Sequence, residues 1–124
     1  MNFEKFKVKH LIVGSPFLTI TKNGISFNKS AIAKLEFPEY LKILINNEEK
    51  QLAIVVTDEN DDDKEQFVKN GDKKTQYVRW NNGDFVRELL AWRKDLETGF
   101  KIPGKYIEED KALLFEFINA EIIN

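Results

Sequence analysis

The chain has no cysteine, one histidine and one methionine, and only three prolines and six glycines in 124 residues. Without cysteine there is no disulfide framework, no thiol nucleophile and no cysteine-bearing zinc site. The single histidine, His10, rules out a two-histidine metal site within one chain. A catalytic histidine needs an orienting partner and a nucleophile to activate. No serine sits in a recognisable elbow motif, so His10 reads as a partly exposed strand residue. Arginine is scarce too, with Arg79, Arg87 and Arg93 set against sixteen lysines. No apolar run approaches the roughly 18–20 residues of a membrane span. The opening MNFEKFKVKH alternates charge with aromatics and lacks the apolar core and cleavage site of a signal peptide. A cytoplasmic location, with no membrane partner, is the expectation.

What is present is a globular balance: 42% hydrophobic and 32% charged residues, enough for one compact domain. The net charge of −2 is unevenly spread. Residues 1–34 carry Lys5, Lys7, Lys9, Lys22, Lys29 and Lys34 against Glu4 alone, whereas every later stretch is net acidic. A weakly basic first quarter could meet phosphate through salt-dependent contacts. The chain as a whole lacks the strongly basic profile of a dedicated nucleic-acid binder.

Three segments are expected: an N-terminal half over 1–57, an acidic mobile linker or loop over 58–76, and a C-terminal half over 77–124. The middle stretch has Phe67 and Val68 as its only strong hydrophobes. Such composition buries too little apolar surface to offset the entropy of ordering it. In the first half, a strand over Val8–Val13 precedes a hairpin turning at Asn23-Gly24. Asn28 or Ser30 caps a short helix that presents Ile32 and Leu35 and ends at Pro38. A second hairpin follows, with Leu41, Ile43 and Ile45 facing Leu52, Ile54 and Val56. In the second half, the strand Tyr77–Trp80 leads to a helix with Phe85, Leu89, Trp92 and Leu96 at helical spacing. FKIPGKYI reads as an edge strand with a bulge at Pro103-Gly104, or as a tight turn. The last strand places Leu113, Phe115 and Phe117 on one side.

The fold class is therefore α+β, mostly antiparallel, with two short helices in two β-α-β-β halves. The halves align as an internal repeat: Lys50 falls on Lys111, Leu52 on Leu113, Ile54 on Phe115 and Val56 on Phe117.

The run from Phe17 to Thr57 resembles the AbrB/MazE/SpoVT swapped-hairpin family. The shared pattern is a hairpin closed at Gly24, a strand Ile25–Phe27, a short helix over Ile32–Leu35, and Glu39 before the apolar strand Leu41–Ile45. A charged turn and the strand Leu52–Val56 complete it. The resemblance implies a small barrel built by exchanged hairpins, and a regulator or antitoxin that binds DNA or a protein. If the second half is another copy, one chain could complete the barrel, so the expected state is a pseudo-symmetric monomer or a homodimer. Ile25 stands where the family places a basic residue, and of the basic pair on the helix only Lys34 is present. Lys22, Lys29 and Lys34 are then the candidates for touching DNA backbone.

Other candidates are weaker. Asp58, Asn60 and Asp62 imitate the start of a calcium loop, but Asp63 replaces its glycine and Lys69 its bidentate glutamate. Asn70-Gly71 is a turn without the further glycine of a phosphate loop. Glu108, Glu109 and Asp110 share a turn, with nothing to bury them and split their acidities. Trp80 and Trp92 accompany Arg79, Arg87 and Arg93 within fifteen residues, and Trp and Arg dominate interaction hot spots. These arginines are the candidate protein-binding residues, against an alternative of surface ion pairs over core tryptophans. The reading is a non-enzymatic, regulator-like binding module without cofactor or metal, contacting DNA weakly or contacting a protein. The alternative is an interaction or structural component with no nucleic-acid role. An enzyme has least support, since no nucleophile, metal set or cofactor loop stands out.

Overall fold

The computed structural model describes residues 1–7, 14–96 and 98–123. The expected strand Val8–Val13 and His10 lie outside the described residues. Along the chain come β1 (Phe17–Thr21), β2 (Gly24–Phe27), α1 (Lys29–Lys34), β3 (Tyr40–Asn46) and β4 (Gln51–Thr57). Then follow β5 (Glu65–Gln66), β6 (Val78–Trp80), α2 (Gly83–Trp92), β7 (Phe100–Ile107), β8 (Ala112–Glu116) and β9 (Glu121–Ile122). The described strands form one antiparallel sheet in the order β5-β3-β4-β8-β7-β1-β2-β6, with β9 also on β7. The sheet curls into a half-barrel, so the α+β, mostly antiparallel expectation holds.

Its concave side is the core. Leu18, Ile20, Ile25, Phe27, Leu41, Leu52, Ile54, Phe100, Ile102, Leu113, Phe115 and Phe117 are all fully buried. Alternation drives this: on β4, Leu52 and Ile54 face inward while Ala53 and Val55 stay half-exposed on the convex side. From the helices, Ala31, Ile32, Val86 and Leu89 close over the core.

The two hairpins β3–β4 and β7–β8 share a register. The pairs Ile43↔Ile54, Leu44↔Ala53, Ile45↔Leu52 and Asn46↔Gln51 correspond, at one constant offset, to Gly104↔Phe115, Lys105↔Leu114, Tyr106↔Leu113 and Ile107↔Ala112. At the same offset Lys50 and Lys111 both adopt left-handed backbone, with φ of 55° and 49°. Their carbonyls accept reciprocal bonds across the β4–β8 junction: Phe117 N–H donates to Lys50 and Val56 N–H to Lys111, each at 3.0 Å.

Both helices start on an asparagine cap. Asn28 Oδ1 accepts from Ala31 N–H and Asn82 Oδ1 from Phe85 N–H, each at 3.0 Å. Asn28 does more, accepting from Phe17 N–H at 3.0 Å and donating to the Ser15 carbonyl at 2.8 Å. α1 stops before Pro38, because Glu36 and Phe37 turn left-handed with φ of 64° and 55°. α2 stops at Trp92, short of the expected Leu96, which lies in a 3₁₀ turn.

Three local expectations shift. The first turn is Lys22-Asn23, one residue early, with Gly24 already in β2 opposite Thr21. A side chain at Gly24 (φ 152°) would place its Cβ 3.0 Å from Arg79 Nε, Asn81 Oδ1 and the Trp80 carbonyl. Pro103 neither ends nor bulges β7, which is an inner strand. Its missing N–H is tolerated because β8 reaches only to Gly104 and β9 only to Lys101, leaving that stretch of β7 unpaired on one side. The last strand is broken by a 3₁₀ turn over Phe117–Asn119, with Phe117 still fully buried.

The acidic stretch 58–76 enters the core with its two hydrophobes. Phe67 is 5% exposed and Val68 fully buried, held by Phe67 N–H on the Glu39 carbonyl (2.7 Å) and Val68 N–H on that of Pro38 (3.0 Å). Its charges stay outside, and Asp61 organises the preceding loop. The Asp61 carboxylate accepts from Thr57 Oγ1 at 2.7 Å and from Asp63 N–H at 2.9 Å.

Candidate functional site

The first and last strands of the sheet order, β5 and β6, face each other without pairing. β5 pairs only with β3 and β6 only with β2 among the described residues. Between them lies an open groove of about 540 Å³, lined by Ile43 and Ile45 of β3, Glu65 of β5, Arg79 and Trp80 of β6, then Asn81, Asn82 and Phe85. Beneath it the Trp80 ring packs edge-on against Phe27 (5.0 Å) and Phe67 (6.1 Å). This aromatic floor forms because Trp80 and Val78 pair opposite the inward-facing Ile25 and Phe27.

Register also places the polar groups. Arg79 pairs opposite Ser26 on the outer side of β6. Its Nε donates to Asn81 Oδ1 at 3.0 Å and one Nη to the Asn23 carbonyl at 2.7 Å, tying β6 to the β1–β2 turn. The other Nη is left without a partner among the described residues. Glu65 pairs opposite Leu41, which faces the core, so its exposed carboxylate lies on the inner side of the seam. The groove thus combines an apolar floor with one guanidinium on its outer rim and one carboxylate on its inner wall. Among the described residues no group of three His, Cys, Asp or Glu comes together to hold a metal ion.

The sequence candidates scatter. Lys22 is at the tip of the β1–β2 hairpin; Lys29 opens α1 at the hairpin's opposite end, where Asn28 contacts Phe17. Lys34, at the end of α1, sits 4.8 Å over the Tyr106 ring, a tyrosine whose pKa burial pushes up. Lys22 and Lys29 thus stand at opposite ends of the β1–β2 hairpin. Of the arginines, only Arg79 reaches the groove. Arg87 pairs with Asp84 one turn back on the exposed face of α2. Arg93 donates to the Phe117 carbonyl at 2.8 Å and pairs with Asp95 at 2.7 Å, a contact that raises its own pKa and lowers that of Asp95. It lines a smaller cleft of about 300 Å³ with Lys50, Trp92 and Ile118, where it anchors the 3₁₀ turn.

Sequence reading overlooked Glu65 and Asn81. No local signal marks them, because they line one groove only once two distant strands come to face each other. The half-exposure of Ile43 and the 39% exposure of Ile45, on what reads as a core face, are equally invisible before the seam forms.

Comparison with protein-family models, with characterised proteins and with solved structures finds no match to this chain. Among the described residues no helix is long and apolar enough to cross a membrane.

Proposed function

We propose that the protein is a non-enzymatic binding module, made of two copies of one strand–helix–hairpin pattern of the swapped-hairpin kind, that takes a protein partner at the β5–β6 seam. Support for two copies comes from the shared hairpin register, the paired left-handed lysines and the two asparagine caps. Two copies in one chain complete each other, so the expected solution mass is that of one chain, 14.5 kDa.

The observation that carries the function is an apolar groove flanked by two strand edges that are unpaired among the described residues. Free edges are what native sheets usually cover, shorten or blunt with charge. An apolar groove with a few polar groups at its rim is a surface that binds. Protein is favoured over DNA because the groove holds a single cation, whereas duplex binding neutralises several phosphates at once. None of Lys22, Lys29 and Lys34 lines the groove.

The test is selection of binders from displayed peptide and folded-domain libraries, scored against the wild type and an Ile45→Asp variant. Binders that discriminate between the two are expected. A selection whose binders all ignore Ile45→Asp overturns the seam as the site. A mixed-sequence duplex should show no salt-sensitive shift; one abolished by Lys29→Glu and Lys34→Glu would return the function to DNA.

A further inference from the structure

Resting on the reading that the seam takes a protein partner, we infer that its occupant is an extended peptide of alternating apolar and acidic residues, added as a strand to the free edge of β6. A strand paired on one side directs half of its backbone amides and carbonyls to the other. β6 is such a strand, and among the described residues no further backbone hydrogen bond reaches 77–81. The groove side of β6 therefore presents donors and acceptors at strand spacing. The opposing β5 is only two residues long and leaves the space open.

Side-chain chemistry follows from the two-residue period. Alternate peptide residues pointing inward meet Ile43, Ile45, Trp80 and Phe85, which requires apolar side chains. Residues between them point outward, on the side of Arg79, whose second Nη has no partner among the described residues and can take a carboxylate. Glu65, on the inner side, repels an acid that slips by one position. Guanidinium outside and carboxylate inside therefore fix the register: apolar in, acidic out.

The experiment titrates the ¹⁵N-labelled full chain with the synthetic peptide acetyl-Thr-Ile-Asp-Val-Asp-Thr-amide. Its companions are a version with each Asp replaced by Lys, a version with the acids moved one position, and two versions N-methylated at alternate backbone amides. Expected are shifts across Val78–Trp80, slowed exchange at the Arg79 amide, which the β1–β2–β6 register turns to the free edge, and loss of binding with one N-methylated set but not the other. Lysine for aspartate should weaken binding about tenfold, with recovery in Arg79→Glu.

Binding that moves groove residues yet tolerates both N-methylated forms overturns strand addition and leaves the seam reading standing. Equal affinity for the acidic, shifted and lysine peptides overturns the charge pattern, again without touching that reading. No perturbation of the groove by any peptide overturns the inference; the library selection above, open to folded binders, then decides the seam itself. A doubled solution mass with the same amides shifting on dilution assigns the edge to a second copy and overturns the peptide. Because Arg79 also holds the β1–β2 turn, the N-methylated peptides, which leave the protein unaltered, keep the test valid if Arg79→Glu fails to fold.

Discussion

The hairpins β3–β4 and β7–β8 share a register, yet their surroundings differ. The five-residue β1 runs beside β7 and bridges it to β2, with pairs from Phe17↔Pro103 to Ile20↔Phe100. The strand beside β3 is the two-residue β5, which pairs with no further strand among the described residues. The register counterpart of Ile43 is Gly104, with the Phe115 ring lying across it; the counterpart of Ile45 is Tyr106, lying under Lys34. One side of the framework is thus sealed and the other is open. Sealing is a matter of neighbouring strand length and of one aromatic over one glycine, and hairpins of one register serve as wall or as groove.

The sharpest way to break this comparison is to exchange side-chain size at the matched positions. A Cβ at Gly104 would sit 2.8 Å from Phe115 Cε1 and 3.4 Å from Pro16 Cβ. Gly104→Ala should cost about 1–3 kcal/mol by overpacking, read as a lowered urea midpoint with unchanged slope. Ile43→Ala, at the open counterpart, should cost less than about 1 kcal/mol by the same measurement, since Ile43 is already half-exposed. Equal losses would mean that the seam is as well packed as the sealed side.

The helix caps sharpen the contrast at smaller scale. Asn82→Ala removes a single capping bond and should cost about 1 kcal/mol. Asn28→Ala also releases Phe17 N–H and the Ser15 carbonyl, and should cost nearer 2 kcal/mol. Thermal melts of the two variants would show the order, and an equal pair would deny Asn28 its role in anchoring β1.

The smallest effect is one of acidity. Asp61 has its pKa lowered, first by the Thr57 hydroxyl and then by the Asp63 amide, with Lys42 at 3.8 Å adding attraction. A depressed folded-state pKa contributes stability above the ordinary carboxylate value, lost as pH falls from there through the lowered one. Asp61→Asn should lower stability slightly at neutral pH and converge with the wild type as pH falls, flattening the acid limb of a stability–pH curve. A steepened limb would contradict the assignment.

Much of the framework was legible because it is local. Lys50 and Lys111 could be matched because each precedes alternating hydrophobes, and Asn28 because a cap sits beside its helix. What escaped is long-range or set by a neighbour. Phe67 and Val68, two hydrophobes in a charged stretch, signal nothing until Pro38 and Glu39 offer carbonyls to their amides. Pro103 looked like a strand-breaker because the gap in its neighbour's pairing comes from a turn at Phe117–Asn119, far along the chain. The groove was unreadable for the same reason: Ile45, Glu65 and Arg79 belong to three separate strands.

The junction of β4 with β8 joins Gln51 to Glu116, and that of β1 with β7 joins Phe17 to Pro103. Contacts this distant along the chain must await the closure of long loops, and sheets dominated by them fold on the order of milliseconds to seconds. Each hairpin can zip early from its own turn. The sealed side must then come together late, and until it does the nascent polypeptide exposes the facing edges of β1 and β7 in addition to those of β5 and β6.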